Sequence, residues 1–283
     1  MSPFRAACIQ VNAGNDLGVN LDKAAALARA AREAGADFVL MPENVAMMEW
    51  GRDNLIAKAH TESDHPAIPH FQKLARELGI WLHGGTLHIK LGEGRLANRT
   101  YLFDPKGALA AQYDKIHMFD VDLGNGEVYR ESATFKPGEA AGTADLPWGR
   151  LGLTVCYDLR FPHLYRALAQ AGADFITVPA AFTRTTGRAH WHVLLRARAI
   201  ETGCYVLAPA QCGEHAGGRQ TYGHALIVAP WGEVLADAGE EPGFILAEID
   251  PARVAEARRK VPSLGHDRAF APPMPHGSAV AAQ

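Results

Sequence analysis

Cys156 lies in the segment RLGLTVCYDLRFPHLYRAL, Arg150 to Leu168, where an apolar run gives way to a stretch that opens a helix near Pro162. A thiol at such a strand-to-helix corner projects from a sheet edge beside free backbone N–H groups. Those donors can hold a developing oxyanion or help a thiolate form. Free cysteine is also among the most buried residue types, so a purely structural thiol is the alternative reading of this position alone. Glu43 follows the apolar run DFVLM and Pro42, which sets a carboxylate just past a strand, in place for acid–base work. Lys115 ends the run ALAAQYDK. Taken singly, the first reads as a solvated loop acid and the second as a surface lysine. In open α/β sheets, however, sites gather outside the carboxyl ends of strands, and all three residues follow a strand pattern directly. A nucleophile, a carboxylate and a cation at one edge form a hydrolase constellation. The 13 histidines, His117, His190 and His192 among them, leave a Cys–His pairing open. His190-Trp191-His192 has no Cys or acidic ligand set beside it, so no metal is expected.

The elements that must position these groups follow from pattern. Ala6 to Val11, Asp37 to Met41, Ile80 to Leu87, Leu151 to Val155, Phe175 to Val178, Tyr205 to Pro209 and Ala225 to Ala229 read as buried strands. Helices are expected over Asn20 to Ala34, Ile68 to Leu78, Pro162 to Ala171 and Trp191 to Glu201, with Gly35 and Gly79 as stops and Pro162 as an opener. Arg99 to Phe103 and Leu109 to Tyr113 flank the turn sequence Asp-Pro-Lys-Gly, which makes a hairpin. Glu233 to Ala236 is a further strand, and Phe244 to Ile249 closes the sheet. Phe182 to Gly187 reads as a loop. AREAGADFVLMP, ending at Pro42, is echoed by ALAQAGADFITVP, ending at Pro179, which suggests two related halves. Helices alternating with buried strands imply a layered α/β fold. No linker divides the chain, so one domain is expected over residues 1–270, with a Pro-, Ala- and Gly-rich tail over 271–283.

Composition removes several function classes. The chain has 283 residues, 48% apolar and 21% charged, which is ordinary for a globular protein. Its net charge of -3 and the lack of a basic stripe argue against nucleic acid. No apolar run is long enough for a membrane span, and the N-terminus has no signal-peptide pattern. The four cysteines, Cys8, Cys156, Cys204 and Cys212, form no C-x-x-C pair and no disulfide framework. A reduced cytoplasmic setting is the simplest expectation.

These residues resemble the nitrilase superfamily of carbon–nitrogen hydrolases. The matching blocks are LMPEN (Leu40 to Asn44), YDKIHMFDVD (Tyr113 to Asp122), GLTVCYDLRFP (Gly152 to Pro162), AAFTRTTGRAHWHVLLRARAIE (Ala180 to Glu201) and YGHALIVAPWGEVLA (Tyr222 to Ala236). They occur in the family's order across nearly the whole chain. The pattern is most similar to the branch holding the deaminated glutathione amidases and omega-amidases, and AQCGEH, Ala210 to His215, resembles the former more. His163 stands where many relatives carry Glu, and Ala225 where Ser is common.

The resemblance implies a four-layer αββα sandwich and a Glu43-Lys115-Cys156 catalytic set, with no cofactor and no metal. It implies hydrolysis of a primary carboxamide of a small α-keto acid-type substrate through a Cys156 thioester. Glu43 would move the protons, while Lys115 would favour the thiolate and, with the Tyr157 N–H, hold the oxyanion. Glu131 matches a second glutamate of the family, expected to orient Lys115 or the substrate. Arg160, Phe182 and Thr186 are the expected substrate contacts. Arg160 could grip a carboxylate through two parallel hydrogen bonds or form a structural ion pair. Trp191 reads as core. The resemblance further implies a homodimer with the Trp191 helix near the interface, a small amide as partner, and no nucleic acid or membrane. A nitrilase or carbamoylase would use the same three residues. A catalytically silent scaffold would not need all three, and a thiol redox protein would need a resolving cysteine nearby.

Overall fold

The computed structural model describes residues 2–124 and 126–273. The first part of the chain runs β1 (Phe4–Val11), α1 (Leu17–Glu33), β2 (Phe38–Leu40), α2 (Arg52–Lys58), α3 (Ala67–Leu78), β3 (Trp81–Gly92), β4 (Arg95–Phe103) and β5 (Leu109–Asp114). A small separate hairpin follows, β6 (Asp120–Asp122) and β7 (Val128–Arg130). Then come β8 (Gly142–Leu146), β9 (Gly149–Leu153), a 3-10 turn Cys156–Arg160, α4 (Pro162–Gln170), β10 (Ala173–Thr177) and α5 (Arg184–Thr202). The chain continues through β11 (Tyr205–Ala208), β12 (Ala210–Glu214), β13 (Gln220–Tyr222), β14 (Leu226–Val228), β15 (Val234–Asp237), β16 (Gly243–Ile249) and α6 (Ala252–Lys260).

Two sheets form the centre. One is ordered β13-β12-β1-β2-β3-β4-β5 with β16 also on β1; the other is β15-β14-β11-β10-β9-β8. Side chains on a strand alternate between faces, and the burial follows that period. Ala6, Cys8, Phe38 and Leu40 face the second sheet's Leu151, Leu153 and Phe175. The intervening Ala7, Ile9, Val39 and Met41 face α1 and α3 instead. The small residues Ala24, Ala25, Ala28 and Ala31 let α1 lie close on that face. On the second sheet α4 and α5 cover the outer side. The result is the αββα sandwich, and each fully buried Leu, Ile or Phe in it contributes about 1.5–3 kcal/mol.

The two echoed segments occupy equivalent places. AREAGADFVLMP spans the end of α1 and β2; ALAQAGADFITVP spans the end of α4 and β10. Each strand sits between parallel neighbours, β1 and β3 in one sheet, β9 and β11 in the other. Two expectations differ from the structure. β16 pairs antiparallel with β1 in the first sheet rather than continuing from β15. The segment read as a loop over 182–187 is largely helical: Thr183 caps α5, its side chain accepting from Thr186 N, and Arg184 begins the helix. Gly187 made that stretch look like a turn, but it serves close packing, since a Cβ there would lie 2.3 Å from Tyr222 Cβ. Of the expected tail, residues 274–283 lie outside the described residues, and Ala271 to Pro273 are exposed coil.

Candidate active site

Glu43 lies three residues beyond β2, where a close crossing with β3 sets its backbone. Gly85 adopts φ +62, and a Cβ there would lie 2.1 Å from Pro42 O, so only glycine lets β3 pass this carbonyl. Thr86 N then donates to Pro42 O at 3.3 Å, and Asn44 N donates to Thr86 Oγ1 at 2.9 Å. The Glu43 carboxylate is 2% exposed. Its Oε1 accepts from Asn98 Nδ2 at 2.8 Å and from Lys115 Nζ at 3.0 Å, and its Oε2 accepts from Ala181 N at 2.8 Å.

Lys115 directly follows β5 and is equally buried. Its N–H donates to Asn98 O at 3.0 Å, and its carbonyl accepts from Gly138 N at 2.8 Å. The ammonium donates to both oxygens of Glu131, at 2.9 and 2.8 Å. Glu131 Oε2 also takes Phe119 N at 2.6 Å. Lys115 is thus held between two glutamates.

Cys156 opens its 3-10 turn with φ +46, a left-handed conformation that costs a non-glycine residue roughly 1–2 kcal/mol. Its N–H donates to Pro179 O at 3.0 Å, and Asp158 N donates to Val155 O at 3.0 Å. Between them the Tyr157 N–H has no protein acceptor among the described residues, as expected for the first turn of a helix. Asp158, fully buried, ties this turn to the lysine strand. Its Oδ2 accepts from Val155 N and Tyr113 O–H, both at 2.8 Å, and its Oδ1 lies 2.7 Å from His117 Nδ1.

The electrostatics assign protonation states. Burial works to raise the Glu43 carboxyl, but the Lys115 charge and hydrogen bonds from Cys156 and Lys115 bring it below the usual carboxylate range. Burial would lower Lys115, yet the Glu131 and Glu43 charges raise it further, so it stays an ammonium. Burial and then the Glu43 charge push the Cys156 thiol well up, against the opposite pull of Lys115. Lys115 favours the thiolate, as expected, but does not prevail. The resting pair is a neutral thiol beside a carboxylate, because desolvation and a neighbouring anion outweigh one cation.

The three groups line one cavity of about 310 Å³. Tyr157, Phe182, Thr186 and Glu131 also line it. Arg160 does not. In a 3-10 turn residues i and i+3 eclipse, so its guanidinium lies against the Tyr157 ring, 5.9 Å from its centre, and 5.3 Å from that of Phe182. Its Nη2 is 3.2 Å from His190 Nδ1. Trp191 is buried core, donating to His224 O at 2.8 Å. The histidines weighed as bases point elsewhere: His117 to Asp158, His190 to Arg160, and His192 to Asp237 at 3.0 Å. His192, His224 and Asp237 bring ligand-type atoms together away from the cavity, with His224 Nδ1 2.9 Å from Asp237. His88 does line the cavity, but burial takes it down to about 4, and its Nε2 pairs with Asn44 Oδ1 at 2.7 Å.

Sequence reading missed Asn98, Asp158 and Arg219. Asn98 bridges the two glutamates, reaching Glu131 Oε1 at 3.4 Å, but an Asn inside strand β4 gives no local signal. Asp158, two residues from the thiol, was a readable hint. Arg219 lines the cavity from a turn between β12 and β13 that nothing in the pattern marks.

Residues 5–259 match the family described as carbon-nitrogen hydrolase. The chain belongs to that family, within the nitrilase superfamily, and it is a hydrolase of carbon–nitrogen bonds other than peptide bonds. It is 43% identical over 270 residues to a deaminated glutathione amidase of Synechocystis sp., covering 94% of this chain and 98% of that one. It is 35% identical over 271 residues to omega-amidase NIT2 of Mus musculus, covering 95% and 96%. Among solved structures, the C. elegans NitFhit protein superposes with a TM-score of 0.89 at 37% identity, over 95% of this chain and 66% of that one.

Proposed function

We propose that the protein is an amidase acting on a small α-keto acid-type amide, deaminated glutathione first, and that Glu43, Lys115 and Cys156 carry the reaction. The observation behind this is the convergence of a thiol, a buried carboxylate and a buried ammonium on one wall of a cavity. As the Cys156 sulfur bonds to the amide carbon, its proton passes to Glu43. The oxyanion takes hydrogen bonds from Lys115 Nζ and the Tyr157 N–H; one such donor is typically worth about 3–4 kcal/mol. Glu43 returns the proton to the leaving nitrogen, the C–N bond breaks, and ammonia or an amine departs. A thioester remains. Glu43 then deprotonates a water that attacks the thioester carbon, and the departing thiolate recovers the proton. Glu131 positions Lys115 through both of its oxygens.

Omega-amidase action on 2-oxoglutaramate is the second reading, favoured by the likeness to the mouse omega-amidase. A homodimer is part of the proposal, supported by Val193 and Ile200, exposed apolar residues on α5 at 67% and 55%. A cytoplasmic setting, supported by four free cysteines, and a role in repairing damaged metabolites complete it. The test is release of acid and ammonia or amine from deaminated glutathione, 2-oxoglutaramate, propionamide and simple nitriles. Turnover of the keto acid amides is expected. Turnover of nitriles alone, or of nothing, would overturn the reading.

A further inference from the structure

Arg219 lines the same cavity as Cys156 and Glu43. The turn that presents it is closed by His215 N donating to Arg219 O at 2.8 Å. That turn is pinned in place, since His215 Nδ1 and Nε2 pair with Ala13 O at 2.8 Å and Thr221 Oγ1 at 2.7 Å. The guanidinium has five N–H donors. Among the described residues one hydrogen bond accounts for it, from Nη2 to Ala181 O at 2.8 Å, while the plane lies over Tyr129 with Cζ 5.5 Å from the ring centre. No carboxylate lies within ion-pair distance of it among the described residues. Its Nε is buried and has no partner. A buried donor left unmatched costs about 1–3 kcal/mol, and more when charged.

The location gives the vacant donor a meaning. Ala181 donates its N–H to Glu43 Oε2 at 2.8 Å and accepts from Arg219 at its carbonyl, so a single residue links the cation to the base. An amide whose scissile carbonyl sits at Cys156 would bring a group a few bonds away to Arg219. Arg160, expected from sequence to make this contact, is off the wall.

We propose that Arg219 is a specificity-determining residue that receives a carboxylate borne by the substrate a short carbon chain from the scissile amide. The proposal rests on the amidase reading and narrows it to anionic amides. It gives the guanidinium N–H groups not taken by Ala181 O a partner in the two oxygens of one carboxylate, a fork geometry that lysine cannot reproduce.

The test compares glutaramate with pentanamide, two primary amides of equal chain length that differ in the terminal carboxylate. In Arg219→Gln the ratio of kcat/KM, glutaramate over pentanamide, is expected to fall by about 10–100-fold, chiefly through KM. Arg219→Lys should recover part of that ratio. Equilibrium titration with glutarate reads the same contact without chemistry, and its Kd should rise by a similar factor in Arg219→Gln. An unchanged ratio and an unchanged glutarate Kd would overturn the proposal, because they leave Arg219 only its hold on Ala181 and Tyr129. If the wild-type protein turns over neither these amides nor deaminated glutathione and 2-oxoglutaramate, yet Arg219→Gln weakens glutarate binding, the amidase reading fails and the anion contact stands.

Discussion

At the scale of single residues, the geometry makes a definite statement about protons. Cys156 rests as a thiol because burial and the Glu43 carboxylate oppose ionisation more than Lys115 favours it. In the proposed mechanism the thiol proton moves to Glu43 during attack. The dependence of kcat/KM on pH should be flat from about pH 6.5 to 9, with no rise through the ordinary thiol range near 8.5. A rise there, measured on a substrate of constant charge, would instead show that a pre-formed thiolate is the active species. Glu43→Gln keeps the side chain's shape but removes the proposed base and one of its two acceptor oxygens, and general-base loss typically costs about 10²–10⁴-fold in rate. Glu43, Lys115 and Cys156 were all readable because each stands within three residues of a strand end. Arg160 misled because sequence spacing does not reveal the direction of a side chain on a 3-10 turn. Asn98 and Arg219 were unreadable, since their roles come from residues far away in the chain.

At the scale of elements, the site depends on how strand ends are locked together. Asp158 joins the nucleophile turn to the end of β5 through Val155, Tyr113 and His117. Asp158→Asn replaces an acceptor with an amide that cannot accept all of these bonds. We expect it to lower stability by about 1–3 kcal/mol, as for leaving a buried hydrogen-bonding group unsatisfied, and to reduce turnover. Denaturant unfolding checks the first, steady-state kinetics the second; an unchanged midpoint would show that the turn holds without this tie. Most strands and helices were legible from period and punctuation. The hairpin β6–β7 and strands β12 and β13 were not, because short strands with mixed polarity at the rim of a site carry weak periodicity. β16 was legible as a strand but not as a partner of β1, since pairing across more than 230 residues, Phe4 with Ile249, leaves no local mark.

At the scale of the whole molecule, the sandwich buries titratable groups that restrict the pH range of the fold. Burial takes His65, His83 and His88 down from 6.5 to about 4. Between those values the unfolded chain binds more protons than the folded one. Stability is thus complete above about pH 6.5 and falls by up to about 1.4 kcal/mol per pH unit for each histidine as the pH drops toward 4. Glu43, held below its usual range, adds a loss of the same sign at lower pH. At the alkaline end Cys156 stays protonated in the fold while the unfolded thiol ionises, so stability declines again above about pH 9. Thermal unfolding across pH should show a Tm plateau between these limits, and a Tm that stays constant from 6.5 to 4 would contradict the neutral, buried histidines. The central claim is covalent catalysis at Cys156, and rapid quenching with 2-oxoglutaramate followed by intact-mass and peptide mapping tests it most directly. An acyl adduct is expected on the peptide containing Cys156, and in Cys156→Ala both the adduct and turnover should be lost. Undiminished turnover in Cys156→Ala, or an adduct mapped to another cysteine, would contradict it.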